Sequence, residues 1–218
     1  MTAPGSFLYP MLEEKHADPS ALLADLARSA HAKAVESSRT RNAALAASAG
    51  ALDRAADAMA AAFADGGRLF CFGNGGSATD AAGLAALFVS PTTGRPLPVR
   101  SLVADTAVLT ALANDIGVDV LFARQLLAHG RPGDIALGLS TSGGSANVLA
   151  AFAQAKRAGL VTVGLAGYGG GAMRSCVDLD HCVAVDAQSV HRTQEAQSAL
   201  AHALWERVQE RLEHGESA

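Results

Sequence analysis

Two short stretches of this chain concentrate glycines and hydroxyls in a way that suits anion binding. Gly73-Asn74-Gly75-Gly76-Ser77 follows an apolar run at 69–72 and leads into a helix-forming segment. Glycines there let the backbone turn tightly and approach a ligand, and they leave N–H groups free at a helix start, where the helix dipole favours negative charge. The Ser77 hydroxyl can donate to a phosphate oxygen. Ser140-Thr141-Ser142-Gly143-Gly144-Ser145 repeats the arrangement after a second apolar run at 135–139, with four hydroxyls in six residues. One such loop would read as a turn with a serine helix cap. Two in one parallel sheet point to a shared phosphate pocket. Neither the GxGxxG spacing of dinucleotide sites nor the GK[ST] of a P-loop is present, which argues against a nucleotide.

The surrounding pattern supplies elements that could hold these loops. After a leader over 1–19 containing Phe7, Leu8 and Tyr9, the stretch 20–64 is rich in Ala, Leu, Arg and Glu and predicts helices over 20–48 and 51–64, interrupted at Gly50. Beyond Gly66-Gly67, short apolar runs alternate with helical stretches, the signature of a parallel sheet. Strands are predicted at 68–72, 99–103, 134–139, 160–165 and 182–185, and helices at 77–88, 106–113, 118–129, 146–158 and 192–213. The fold class is α/β: a doubly wound five-stranded parallel sheet flanked by helices, forming one domain over 20–218. Such sheets bind ligands at the carboxyl ends of their strands. The N-terminal helix is longer than the sheet can cover and is expected to pack on another subunit.

Composition narrows the function classes. Half of the 218 residues are apolar and 17% are charged, which fits a buried sheet and excludes a disordered chain. The net charge of −4, with arginines scattered, predicts no direct nucleic-acid binding. No run of about eighteen apolar residues and no secretory pattern is present, so the expected location is cytoplasmic, away from membranes. Cys71, Cys176 and Cys182 lack metal-type spacing, and Cys71 reads as a buried strand residue. His16, His31, His129 and His181 read as structural or solvated, and the 167–171 glycine run reads as a loop.

Gly73 to Ala82 (GNGGSATDAA), Leu109 to Asp115 (LTALAND), Arg131 to Val148 (RPGDIALGLSTSGGSANV) and Arg192 to His202 (RTQEAQSALAH) together resemble the sugar isomerase (SIS) domain family, in its phosphoheptose isomerase branch. Their order and separations also fit, so the resemblance covers roughly residues 20–213. It implies a homotetramer with sites at subunit interfaces, the long N-terminal helix in the bundle, and a phosphorylated sugar as ligand, with sedoheptulose 7-phosphate the reference substrate. Carried over position by position, the sugar-phosphate contacts fall on Asn74, Gly75, Gly76, Ser77, Asn114, Asp115, Ser140, Thr141, Ser142, Ser145 and Gln194.

The catalytic half of the resemblance is incomplete. Heptose-isomerising members carry a His and, one turn later, a Glu on the helix after the first loop; the matching positions here are Gly83 and Leu87. A second His, on the last helix, is matched by His202, the one catalytic candidate carried over. Some members hold zinc with these three side chains and the glutamine. Only Gln194 and His202 of the four would remain here, and a stable site needs about three protein ligands, so no metal or cofactor is predicted. A positioned base contributes about 10²–10⁴-fold to such proton transfers. Glu195 points away from Gln194 around the helix, Asp80 reads as a cap or dipole partner of its helix, and Asp115 and His191 are the other titratable candidates. Two readings remain. One is a sugar-phosphate isomerase of altered base or substrate. The other is a non-catalytic sugar-phosphate sensor or assembly factor, similar to the SIS protein that associates with the bacterial replication initiator, with a protein partner the sequence does not identify.

Overall fold

The computed structural model describes residues 19–215; Phe7, Leu8 and Tyr9 of the leader lie outside them. Helix α1 runs Pro19–Ala64 without interruption, so the expected break at Gly50 does not occur. A glycine inside a helix costs only about 1 kcal/mol relative to alanine. Alanines dominate the flanks of Gly50, and Leu52, Ala55, Ala56, Met59 and Phe63 are buried just beyond it. Packing of that face outweighs the local penalty. By contacts the chain divides after Ser38. In the second unit, from Arg39 onward, the rest of α1 joins the sheet and the remaining helices.

Five strands, β1 Leu69–Gly73, β2 Val99–Ser101, β3 Ile135–Ser140, β4 Val161–Ala166 and β5 His181–Ala184, form one sheet in the order β2-β1-β3-β4-β5. All the pairings are parallel, with Leu69 opposite both Val99 and Ile135, and Gly73 opposite Leu139. The intervening helices are α2 Gly76–Val89, α3 Thr106–Asp115, α4 Leu121–His129, α5 Ala146–Arg157 and α6 Val190–Gly215. A 3-10 turn, Val118–Val120, takes the start of the helix expected at 118–129.

The pleat sorts side chains to two cores. Leu69 and Cys71 of β1 face a cluster with Leu52 and Phe63 of α1, Leu84 and Phe88 of α2, and Leu200 and Leu204 of α6. Phe70 and Phe72 face the other side, against Phe122 and Leu126 of α4 and Phe152 of α5, and the Phe72 ring lies 5.3 Å from that of Phe122 and 5.6 Å from that of Phe152. Alternation of two along a strand is what lets one short segment serve both layers. Cys71 is fully buried, which raises its thiol pKa well above the ordinary value and fits a packing role.

Chain order places the functional end. From β1 the chain moves outward to β2, then returns across β1 to lay down β3 on its other side. The switch point therefore falls between β1 and β3, where crossovers diverge and leave a crevice above the strand ends. Both candidate loops emerge there. The opposite, amino-terminal edge is fastened by Asp134, whose carboxylate accepts from the Arg68 backbone N–H at 2.8 Å, Arg68 Nη2 at 2.7 Å and the Arg131 N–H at 2.9 Å. No helix among the described residues is long and apolar enough to cross a membrane.

Candidate functional site

The first loop closes a tight turn from β1 into α2. Ser77 N–H donates to the Asn74 carbonyl and Ala78 N–H to that of Gly75, both at 3.0 Å. Ser77 is only 4% exposed, while Asn74, Gly75 and Gly76 are open to solvent. Gly76 is where another element reaches in: a Cβ built there would lie 2.1 Å from Gln194 Nε2. The amide of Gln194, on the first turns of α6, thus rests on the loop backbone, which only a residue without a side chain permits at this distance.

The second loop turns from β3 into α5 and folds its hydroxyls onto one another. Ser140 Oγ lies 2.9 Å from Ser145 Oγ and 3.2 Å from Ser142 Oγ, and Gly144 N–H donates to Ser142 Oγ. Ser140 is buried, Thr141 and Ser145 are half-buried and Ser142 is exposed. Behind this loop lies the 167–171 glycine run. Gly169, Gly170 and Gly171 take non-helical backbone angles that interrupt the 3-10 stretch Tyr168–Ser175, and that stretch braces the loop, with Met173 N–H donating to the Gly143 carbonyl at 2.9 Å. Gly143 adopts φ +63°, and a Cβ there would meet the Gly170 carbonyl at 2.2 Å.

A reciprocal amide pair joins the loops. Asn74 Nδ2 donates to Asn147 Oδ1 at 2.8 Å and Asn147 Nδ2 to Asn74 Oδ1 at 2.9 Å. Asn147, on the first turn of α5, is 5% exposed. Sequence reasoning missed it, because an Asn at a helix start reads as local capping. Gln197 was missed too. Fully buried, it donates from Nε2 to the carbonyls of Ser140 at 3.3 Å and Leu165 at 3.0 Å. Its place one turn beyond Gln194 was the available signal. Asp80, expected to cap or complement the start of α2, instead accepts from Ser198 Oγ of α6 at 2.9 Å. It lies past the first turn, on the face that α6 covers, so it ties the two helices together.

Other candidates lie farther from this junction. Asn114 and Asp115 end α3 in exposed positions, Asn114 Nδ2 donating to Asp115 Oδ1 at 2.7 Å. His202 is on the exposed side of α6, its Nε2 3.4 Å from Glu206 Oε1 and its ring 5.1 Å from that of Trp205. Gly83 is exposed, and a Cβ there would meet nothing within 4 Å; Leu87 is half-buried against the core. Beside the first loop opens a cavity of about 450 Å³. Its wall includes Asn74 and Gly75 of the loop, Ala78 and Ala82 of α2, Leu109 of α3 and Phe122 of α4.

These features define an α/β protein with two hydroxyl- and glycine-rich loops at the switch point of a parallel sheet, and comparison with known proteins gives it a family. A family model described as SIS domain matches residues 34–167, and the chain belongs to that family. The phosphoheptose isomerase of Roseiflexus sp. (strain RS-1) is 44% identical over 159 residues, 72% of this chain and 80% of that protein. That of Rhodospirillum rubrum is 42% identical over 168 residues, 74% of this chain and 86% of that one. Among solved structures, the phosphoheptose isomerase of Neisseria gonorrhoeae superposes with a TM-score of 0.79 at 34% identity, over 84% of this chain and 98% of the other. That of Francisella tularensis gives 0.79 at 28%, over 84% and 97%. Within the SIS family the chain is phosphoheptose isomerase-like.

Proposed function

We propose that the chain binds a phosphorylated sugar above β1 and β3, its phosphate held by the amides and hydroxyls of the two loops. The observation that carries this reading is the reciprocal Asn74–Asn147 pair. It holds two helix N-termini side by side, so their positive dipole ends and free donors converge on one anion. Gly75, Gly76, Ser77, Thr141, Ser142 and Ser145 present the donors, with Ser140 behind them. Gln194 closes over Gly76 and offers both a donor and an acceptor to sugar hydroxyls. Asn74 contributes the lone pair and N–H that Asn147 leaves unused, and Asn114 and Asp115 at the exposed end of α3 supply further sugar contacts. Titration calorimetry with a panel of phosphorylated monosaccharides tests the reading. Ser77→Ala and Thr141→Val are each expected to weaken binding about tenfold, the worth of a charge-assisted hydrogen bond. Silence across the panel would remove the proposal.

Binding without the family's proton transfer is the function these residues favour. The positions matching the family's His and Glu are Gly83 and Leu87, and none of the side chains around the 450 Å³ cavity ionises. Zinc does not fit the donor set either, since Gln194 and His202 alone of its four positions retain a donor. A sugar-phosphate sensor or assembly factor follows, expected to give no solvent deuterium exchange at C1 or C2 of a bound ketose phosphate by NMR. One observation favours the second reading, an isomerase: His202 and Glu206 make a titratable pair two turns beyond Gln194 on an exposed helix face, available to a site completed by another copy. Exchange that disappears in His202→Ala would establish that reading instead. Assembly as a homotetramer accompanies either function.

A further inference from the structure

The cavity beside the first loop is the wrong chemistry for a sugar that is hydroxylated at every carbon. Six side chains dominate its wall: Ala78 and Ala82 of α2, Val103 after β2, Leu109 of α3, and Leu121 and Phe122 of α4. Polar side-chain atoms come only from Thr79 and Asn74, and Asn74 gives one N–H and one lone pair to Asn147, keeping one of each. The four hydroxyls of the second loop do not line it. A ligand anchored by phosphate at the two helix starts therefore meets a polar environment on one side and an apolar one on the other. At about 450 Å³ the space falls in the range of small-molecule pockets.

A sugar hydroxyl placed there loses water and finds few partners, which weakens binding, whereas a methyl group gains by leaving water. The loop backbone at Gly73 to Gly75 borders the cavity, so a sugar anchored at this loop lies within reach of it. Resting on the phosphate-binding reading above, we propose that this cavity selects a phosphosugar carrying a methyl group in place of a terminal hydroxymethyl, a terminal deoxy sugar, over its fully hydroxylated parent. Leu109 sits on α3, a helix with no fully buried residue, so the wall can adjust to the size of that substituent.

The test is a set of matched ligands titrated into the full chain: xylulose 5-phosphate with 1-deoxyxylulose 5-phosphate, fructose 6-phosphate with 1-deoxyfructose 6-phosphate, and glucose 1-phosphate with 6-deoxyglucose 1-phosphate. At least one methyl-bearing member is expected to bind about tenfold more tightly than its parent, the worth of one to two buried carbons. Ala82→Phe and, separately, Leu109→Trp fill the cavity and should bring that ratio toward one, with folding checked by circular dichroism and thermal melting. Equal affinities within every pair, or a preference that survives in both folded variants, overturn this inference while leaving the phosphate site standing. No heat from any member, parents included, fails the phosphate reading and this one with it.

Discussion

Side chains behind the two loops hold the proposed site together. Asn147 is the clearest case, since its buried amide is the direct side-chain link between the loops. Replacing it with alanine strands the Asn74 amide and removes two hydrogen bonds, an expected loss of about 1–3 kcal/mol in stability. Phosphosugar affinity should fall about tenfold as well, because the two anchors would no longer be held in register; melting curves and calorimetry read the two effects. The glycines divide in the same spirit. Gly76→Ala pushes against the tip of a flexible glutamine, so the variant should fold with little change in melting temperature and bind phosphosugar more weakly. Gly143→Ala meets backbone at a positive φ, so it should lose about 1–3 kcal/mol or more of stability. If Gly76→Ala were the one that melts early, the Gln194 contact would not be the flexible closure described.

Among the elements, patterning made the sheet legible and left the joints obscure. The short apolar runs at 68–72, 134–139 and 160–165 mark strands within one or two residues of β1, β3 and β4, because a strand buried on both faces is apolar at consecutive positions. The unbroken α1 was not legible at Gly50: what sustains the helix there is burial of residues beyond it, and local propensity carries no record of that. Site residues split along the same line. Ser77 and the Ser140–Ser145 hydroxyls announce themselves by clustering. Asn147, Gln197 and the Asp80–Ser198 tie act across more than fifty positions of chain, and only topology brings such partners together. The sheet's lower edge supports a prediction of its own. Burial alone would raise the Asp134 pKa, yet the Arg68 guanidinium, the Arg68 and Arg131 amides and the Arg68 charge together hold it below the ordinary carboxylate value. A depressed folded pKa means stability that is complete above the unfolded value of about 3.9 and lost as pH falls through the folded one. Melting temperature should therefore drop as the solution is acidified below about pH 4, and Asp134→Asn should be less stable at neutral pH with a flatter acid limb.

At the scale of the whole molecule, α1 leaves Leu23 and Leu26 65% and 51% exposed, on a helix far longer than a sheet crossover requires. Covering such residues with another copy of the chain is the economical outcome, and light scattering is expected to give a tetramer. Leu23→Glu with Leu26→Glu should shift it to smaller species; a wild-type chain that scatters as a monomer would contradict the assembly. Gly83 carries a different lesson. Facing open space on a well-formed helix, it is a position where an added Cβ meets no neighbour, so the fold does not require a glycine there. Leu87, one turn on, is held by the core. Placing an ionisable side chain on α2 is thus unopposed at Gly83 and opposed by packing at Leu87. That asymmetry predicts that Gly83→His melts close to the parent chain, whereas Leu87→Glu, which must displace a hydrophobic contact, melts earlier.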